Sequence, residues 1–589
     1  MILAVAAVGA AACSSSSSAP TSTNTTEYYN AALTEVVNPS NHTGGTLIYD
    51  LENSPDSTDP GNTYFDDMWD FSRLYGQSLM TYKSCPGACG LQLVPRLATA
   101  PGVVSDNGLT WTYHIRPNLK FSNGQPITSQ DVKYAVERTF ARSVLPNGPT
   151  YFQELLAPQN ATCAKSMAAG GSTGCYPGPY TDRSANIMGL NAVSTPNPTT
   201  IVFHLWHPFS DFNYVVAIPQ TDPVPPNDDT GSNYQLNVIS SGPYMFKSYA
   251  LNKQLILVRN PNWNAAQDPN AKQLVNEIVV NFNINDDDVS NRLIAGDIDV
   301  DMSGNGLEAA ARDRVLTSPS LKMYADNPDH GVLWFQYINQ KVAPLNNIHC
   351  REAVEYAADK TTLQTGWGGP VAGGAIASTI LLPGMGGYTK FDLYDALSMP
   401  SGNLAAAKQQ LTLCGQPNGF TTNFAYNSGP PQQLASAEAL QAALARVGIT
   451  LHLVGYPVAT FYSDFAGVPT YANSHDIGIA QGGQGFDWPD GYGMMWTFLD
   501  GQSITPAGTS NIEQLNDPTI NALFAESTTI NNPAKRNAIF NQIDYLTMQD
   551  AVILPDVYGT TLLYRNPALT NVMVSPVYGM YNYLVLGLK

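Results

Sequence analysis

The sequence predicts an α/β protein of two or three domains, and three observations predict it. The chain has 589 residues, more than one hydrophobic core ordinarily organises. In residues 405–454 a helical period, a short extended run, a second helical period and a second extended run follow one another. That succession implies a partly parallel sheet, because parallel neighbours need a long crossover. Charged residues make up only 13%, while Gly and Pro number 48 and 42, the composition of a globular chain rich in turns.

Charge narrows the partners. With 28 basic and 47 acidic residues the net charge is −19, which repels a phosphate backbone and argues against nucleic acid. Acidity by itself does not identify a ligand.

Residues 1–12 are small and apolar, end on Ala10-Ala11-Ala12 before Cys13, and lead into a Ser and Thr run that reaches Thr26. The pattern resembles a bacterial lipoprotein signal, in which the Cys is lipidated and becomes the first mature residue. It departs from that signal in two ways: no Lys or Arg precedes the apolar stretch, and Ala10 stands where Leu is usual. An ordinary signal peptide or a disordered leader is the alternative. The stretch is too short to span a bilayer. Residues 14–43 are polar and without strong periodicity, apart from a weak helical hint from Tyr28 to Val37, and are expected to form a tether.

The chain has 7 Cys, so lipidation of Cys13 would leave an even number, which suits an oxidising exterior. Cys85 with Cys89 and Cys163 with Cys175 each bracket a Gly-bearing loop and are the first guess for local disulfides, which leaves Cys350 with Cys414 by default. Connectivity is not derivable from spacing alone. No second close pair or nearby His pair completes a zinc spacing.

In chain order, Gly45 to Asp50 reads as a strand leading to Asp59-Pro60. A helix is expected over 66–79, with Met68, Phe71, Leu74 and Tyr75 on one face and Thr63 and Tyr64 at its entry. Residues 109–140, LTWTYHIRPNLKFSNGQPITSQDVKYAVERTF, form the best-specified stretch. Trp111, Tyr113 and Ile115 alternate with polar residues as a half-buried strand does, and Arg116-Pro117 ends it. Ser122-Asn123-Gly124 is a turn signal; Thr128 with Asp131 is a capping-box pattern for a helix with Val132, Ala135, Val136 and Phe140 on one side. Residues 199–205 are a strand; His204 and His207 stand three apart there, on opposite faces, which disfavours a metal pair. Asp297, Asp299, Asp301 and Glu308 have calcium-loop spacing, but Met302 stands where that loop needs Gly, and Ile298 and Val300 alternate as a strand. Residues 333–337 and 551–555 are apolar strands, and a helix is expected over 534–550.

Together these residues resemble the extracellular solute-binding proteins, family 5, that serve oligopeptide and dipeptide ABC importers. In that family a strand ending Trp-x-Phe/Tyr-x-Leu/Ile-Arg is followed by a Phe/Trp-Ser-Asp/Asn-Gly-x-Pro turn and a Thr-x-x-Asp-Val helix, and residues 109–140 match almost throughout. Further likenesses are Gly242-Pro243-Tyr244 with Asn260-Pro261-Asn262-Trp263; Pro344-Leu345 with Arg351 and Ala353, where His349-Cys350 replaces a hydrophobic pair; a Gly- and Pro-rich loop over 373–388; Lys535-Arg536; and Pro555 with Tyr558.

Gly485-Phe486-Asp487-Trp488-Pro489-Asp490 resembles the family's Asp-Tyr-Pro-Asp-Pro motif, with Trp for Tyr and Gly491 for the last Pro. The resemblance implies that Asp487 pairs with the α-amino group of a bound peptide, an interaction that strengthens in a closed, partly dry cleft. The alternative is that Asp487 braces its loop, since Asp-Trp-Pro-Asp-Gly is turn chemistry. Gln484 stands where peptide binders carry Trp, so Phe486, Trp488, Tyr492 or Trp496 would have to supply an aromatic wall. Tyr558, Tyr64 and Thr63 are weaker cleft candidates; as bare sequence, Tyr64 reads as a core aromatic.

The resemblance implies a bilobal α/β fold of the periplasmic-binding-protein type (type II, large peptide-binder class), with mixed sheets, helices and a hinge. The expected division is a signal over 1–13, a tether over 14–43, lobe 1 over 44–86, 238–325 and 558–589, a domain inserted in lobe 1 over 87–237, and lobe 2 over 326–557. The implied function is capture of extracellular peptides for a membrane permease by a monomer anchored by lipid to the outer face of the cell membrane, without cofactor, metal or catalysis. Alternatives are a same-family binder of a nickel complex, an oligosaccharide or another small molecule, a secreted hydrolase, or a lipoprotein receptor. No Gly-x-Ser-x-Gly, His-Glu-x-x-His or Cys-His arrangement supports the hydrolase.

Overall fold

A computed structural model describes residues 28–589 except 159, 168–171 and 181–188, so the expected signal and Cys13 lie outside the described residues. Three sheets carry the fold. In the first, Thr46–Leu51 runs parallel to the central strand Glu277–Phe282 on one side and to the edge strand Val300–Asp301 on the other; Gln254–Arg259 and Tyr244–Ala250 extend it antiparallel. Leu47, Tyr49 and Leu51 are buried on alternate positions, as a strand covered on that face requires.

The second sheet is antiparallel throughout: Val103–Ser105, Thr110–His114, Thr200–His204 and Val193–Asn197 in that order. Trp111 lies opposite Phe203, and both are buried. The helix Ser129–Thr139 follows with its capping box formed: Asp131 accepts from the Thr128 N–H at 2.7 Å. These two sheets, with the C-terminal segment, share one hydrophobic cluster and make up lobe 1.

Lobe 2 is built on six strands in the order Ala375–Ile376, Ile553–Thr560, Asp329–Ile338, Ile477–Gly485, Thr421–Asn427 and Thr450–Tyr456. The last three are mutually parallel, and the helix Pro431–Ala445 makes the crossover between Thr421–Asn427 and Thr450–Tyr456. Leu333, Phe335 and Tyr337 face one cluster with Met494, Phe498 and Phe540; Ile338 and Ile479 face another with Val354, Leu440 and Leu444. The sheet is therefore covered on both sides, which explains the nearly unbroken apolar run at 333–338.

Three expectations change. The expected tether is not free from residue 28 on: Ala31–Thr34 is a helical turn with Ala31 and Ala32 buried, and Val37 bridges Val572. The Ala32 N–H donates to Asp326 at 3.0 Å, and Arg565 donates to the Tyr28 carbonyl at 2.9 Å. A few apolar residues suffice there because the C-terminal segment supplies the other half of the core. Second, the helix expected over 66–79 ends at Ser72. The carbonyls of Leu74 and Tyr75 instead accept from Tyr244, Ser241 and Gly242, so the Gly-Pro-Tyr segment is what terminates the helix. Third, Ile553–Thr560 continues through the division expected between 557 and 558.

Disulfides join Cys85 to Cys89, Cys163 to Cys175 and Cys350 to Cys414, with Cα separations of 5.7, 4.6 and 5.4 Å. In the acidic run at 297–308, Asp299 accepts from the Ile48 N–H at 2.8 Å and Asp301 from the Ser303 hydroxyl at 2.7 Å, so these two carboxylates tie the edge of the first sheet together.

Candidate functional site

The strand Ile477–Gly485 ends at the boundary between the lobes, and the loop carrying Phe486, Asp487 and Trp488 projects from it toward lobe 1. Asp490 closes the loop by capping the helix Gly491–Leu499, its Oδ1 accepting from the Tyr492 N–H at 2.8 Å. On the lobe 1 side Asp56 organises the entry of the helix Asp66–Ser72. It accepts from the Thr63 hydroxyl at 2.7 Å and from the Tyr64 N–H at 2.6 Å. That arrangement turns the Tyr64 ring toward the opposite loop.

The Tyr64 hydroxyl donates to Asp487 Oδ2 at 3.0 Å, and the Tyr151 hydroxyl donates to the same oxygen. Asp487 Oδ1 receives no hydrogen bond among the described residues. Burial pushes the Asp487 carboxyl up to about 6, and the Tyr64 hydrogen bond acts against that rise. Burial, together with the Asp487 charge, drives the Tyr64 phenol far above its ordinary value, so it stays protonated and remains a donor.

A cavity of about 280 Å³ opens here, lined by Tyr64, Phe65, Asp66 and Trp69 from lobe 1 and by Phe486 and Asp487 from the opposite loop. It presents aromatic faces and carboxylates, and among the described residues no Lys, Arg or His lines it. Such a chamber suits a cationic group carried on an apolar or peptide frame.

The other candidates divide. Phe486 borders this cavity and a second of about 250 Å³ on its far side. Thr63 is buried behind Tyr64 with its hydroxyl on Asp56, and its carbonyl accepts from the Trp69 indole at 3.1 Å; it positions the site and does not line it. Trp488 lines neither cavity. It is fully buried, its indole N–H donates to Asp211 at 3.2 Å, and its ring is stacked on Tyr214 with Tyr151 and Phe209 edge-on. Asp211 also pairs with Arg536, which reaches Asp490 at 2.9 Å. Trp488 is thus a plug from lobe 2 into an aromatic socket of lobe 1, and the socket takes it because Asp211 satisfies the indole.

Tyr558 also lines neither cavity: its hydroxyl lies 2.5 Å from Thr379 Oγ1 and accepts from the Ser378 and Thr379 N–H groups, inside lobe 2. Gln484 donates to the adjoining Gly485 carbonyl and builds no wall. Sequence reading missed Tyr151, Asp56, Asp66, Trp69 and Asp211. The capping pair of Asp56 with the Thr63-Tyr64 step could have been sought as a local turn; Tyr151 and Asp211 carry no local signal, since their partners Asp487 and Trp488 lie 336 and 277 positions away.

The sequence profile described as "Bacterial extracellular solute-binding proteins, family 5 Middle" matches residues 92–506. The chain belongs to this family. Among family 5 relatives, the "Periplasmic oligopeptide-binding protein OppA" of Escherichia coli (strain K12) is 22% identical over 487 residues, covering 78% of this chain and 79% of that one. The "Probable D,D-dipeptide-binding periplasmic protein DdpA" of the same organism is 24% identical over 524 residues, covering 86% and 87%. Among solved structures, "Clavulanic acid biosynthesis oligopeptide binding protein 2" superposes with a TM-score of 0.89 at 38% identity, covering 96% of this chain and 99% of that one. The fold of this family 5 chain is accordingly the bilobal periplasmic-binding-protein fold.

Proposed function

We propose that this family 5 protein captures peptides outside the cell, holding the ligand's α-ammonium on Asp487, and passes them to an ABC permease. The observation that carries this reading is Asp487 itself. Two tyrosine hydroxyls from lobe 1 bind one oxygen, and among the described residues the other oxygen receives no protein donor and no cationic side chain lines the adjoining cavity to compete for it. An ammonium supplies what the site lacks, a donor with positive charge. The rest of a peptide would be held by main-chain hydrogen bonds, with the lobes closing over it about their connections. Names of relatives that mention oligopeptides and dipeptides support the same ligand class.

We further take Cys13 as a lipid anchor, with residues 14–27 as the tether, the chain as a monomer at the outer face of the membrane, and residues 87–237 as a domain inserted in lobe 1. Calorimetric titration of a tripeptide and its N-acetylated form tests the central reading. Acetylation and Asp487→Asn are each expected to weaken binding at least ~10-fold, the worth of one lost charged hydrogen bond. Equal binding of both ligands by both proteins would exclude the role given to Asp487.

A further inference from the structure

Besides the contact of Tyr64 with Asp487, the lobes meet on a second patch, where Ser210 and Asp211 of lobe 1 face lobe 2. Arg536, in the first turn of the lobe 2 helix Pro533–Gln549, donates through one terminal nitrogen both to Asp211 across the boundary and, at 2.9 Å, to Asp490 of its own lobe. All three side chains are buried. The second oxygen of each carboxyl is also engaged, Asp211 Oδ2 by the Trp488 indole and Asp490 Oδ1 by the Tyr492 N–H. The two carboxyls lie within hydrogen-bond reach of each other. Beside them the Thr528 carbonyl of lobe 2 accepts from the Ser210 N–H at 2.9 Å and from its hydroxyl at 2.8 Å. Two carboxylates that share one guanidinium leave a negative charge uncompensated in a buried contact, and a proton on one of them removes it. Burial and the Asp211 charge push the Asp490 carboxyl well above its ordinary value, against the opposing pull of Arg536.

We propose that Asp211, Asp490 and Arg536 form a proton-dependent latch between the lobes: while Asp490 is protonated its O–H donates to Asp211 and the closed contact is neutral, and when both carboxyls are charged their repulsion drives the lobes apart. The sign follows from what each lobe keeps. On opening, Asp211 leaves with lobe 1, and Asp490 remains beside Arg536 in lobe 2 as a one-to-one ion pair that needs no proton. Closure therefore takes up a proton, and the closed population falls as pH rises, by at most about tenfold for each unit. The other titratable groups against the trio are the phenols of Tyr82, Tyr214 and Tyr492, which burial holds protonated, and they do not change charge over the range concerned. Glu154 and Asp500 add negative charge around Tyr492, which favours the protonated latch further. The latch acts on the protein without ligand and is independent of the peptide reading.

The test is hydrogen exchange of the Ser210 amide, whose acceptor lies in the opposite lobe, on the ligand-free chain from about pH 6 to about pH 8.5, with each rate divided by the intrinsic rate at that pH. Amides of the strand Asp329–Ile338, read in the same experiment, separate opening of the lobes from unfolding. In wild type the Ser210 protection is expected to fall at least ~10-fold across the range, more steeply than that of the strand. Asp490→Asn stands in for the protonated acid: its amide N–H reaches Asp211 while its oxygen still caps the helix Gly491–Leu499. Its Ser210 protection is expected to stay high and level with pH. Asp211→Asn leaves a single carboxylate for Arg536, and it too is expected to lose the pH dependence, which gives a second reading if one variant folds poorly. A level wild-type profile, or variants that follow the wild-type fall, overturns the latch.

Discussion

Tyr64 Oη and Asp487 Oδ2 lie 3.0 Å apart across the boundary between the lobes, the phenol anchored in lobe 1 and the carboxylate on a loop of lobe 2. The pair joins ligand recognition to lobe approach, because the carboxylate that would take the ligand's amine is already oriented by the opposite lobe.

That pairing sets a pH dependence. With its carboxyl pushed up to about 6, Asp487 loses its charge as pH falls through that value, so amine binding weakens about tenfold for each further unit. The ligand's amine, with an ordinary value of about 8, stays charged over the same range. Removing the phenol in Tyr64→Phe takes away a hydrogen bond that lowers the Asp487 carboxyl, so the loss of affinity begins at higher pH. Dissociation constants of one tripeptide measured from about pH 5 to 8 on both proteins check this; superimposable profiles would count against the coupling.

Trp488 bridges the lobes in a different manner. Its burial against Tyr151, Phe209 and Tyr214 means that any separation of the lobes exposes a large aromatic surface and leaves Asp211 without its indole donor. Trp488→Ala removes contacts of a kind worth about 3–5 kcal/mol in a core. The variant is expected to show a larger radius of gyration in small-angle scattering without ligand and a lower melting temperature. A wild-type scattering profile together with an unchanged melting temperature would show that the plug does not hold the lobes.

Buried carboxyls shape stability. Burial pushes Asp67 and Glu355 up to about 8 and Asp222 and Asp544 up to about 7. In the unfolded chain such groups titrate near 4. Between about pH 4 and 8 the native state therefore holds protons that the unfolded state gives up, and stability falls as pH rises through that window. Mutual repulsion within a chain of net charge −19 acts in the same direction. The melting temperature is expected to be higher at about pH 5.5 than at pH 8, and a flat or reversed trend in calorimetry would contradict the assignment.

The proposed anchor has its own test. Expressed with its leader in a bacterial host, the wild-type chain is expected to incorporate labelled palmitate and to sediment with membranes, and Cys13→Ser to do neither. Equal partition of the two proteins would remove the lipid from the proposal.

Much of the scaffold was legible because its signals are local. The capping pair Thr128 and Asp131, the alternation of Trp111 and Tyr113, and the helix Pro431–Ala445 between two parallel strands all depend on residues a few positions apart. Residues 28–37 misled because their sparse apolar side chains look insufficient for a core until Val572 and Asp326 are seen to complete it.

The sequence by itself determined the family, the bilobal α/β architecture and the loop that carries Asp487, since motif and periodicity are properties of short stretches. Only the tertiary structure decided that Trp488 plugs the opposite lobe, that Tyr558 lies inside lobe 2, and that Tyr151 and Tyr64 meet on one carboxylate oxygen. The physical reason is that a binding site between lobes is a set of distances between residues hundreds of positions apart. Those distances are set by how two independently packed cores come together, and no local pattern encodes them.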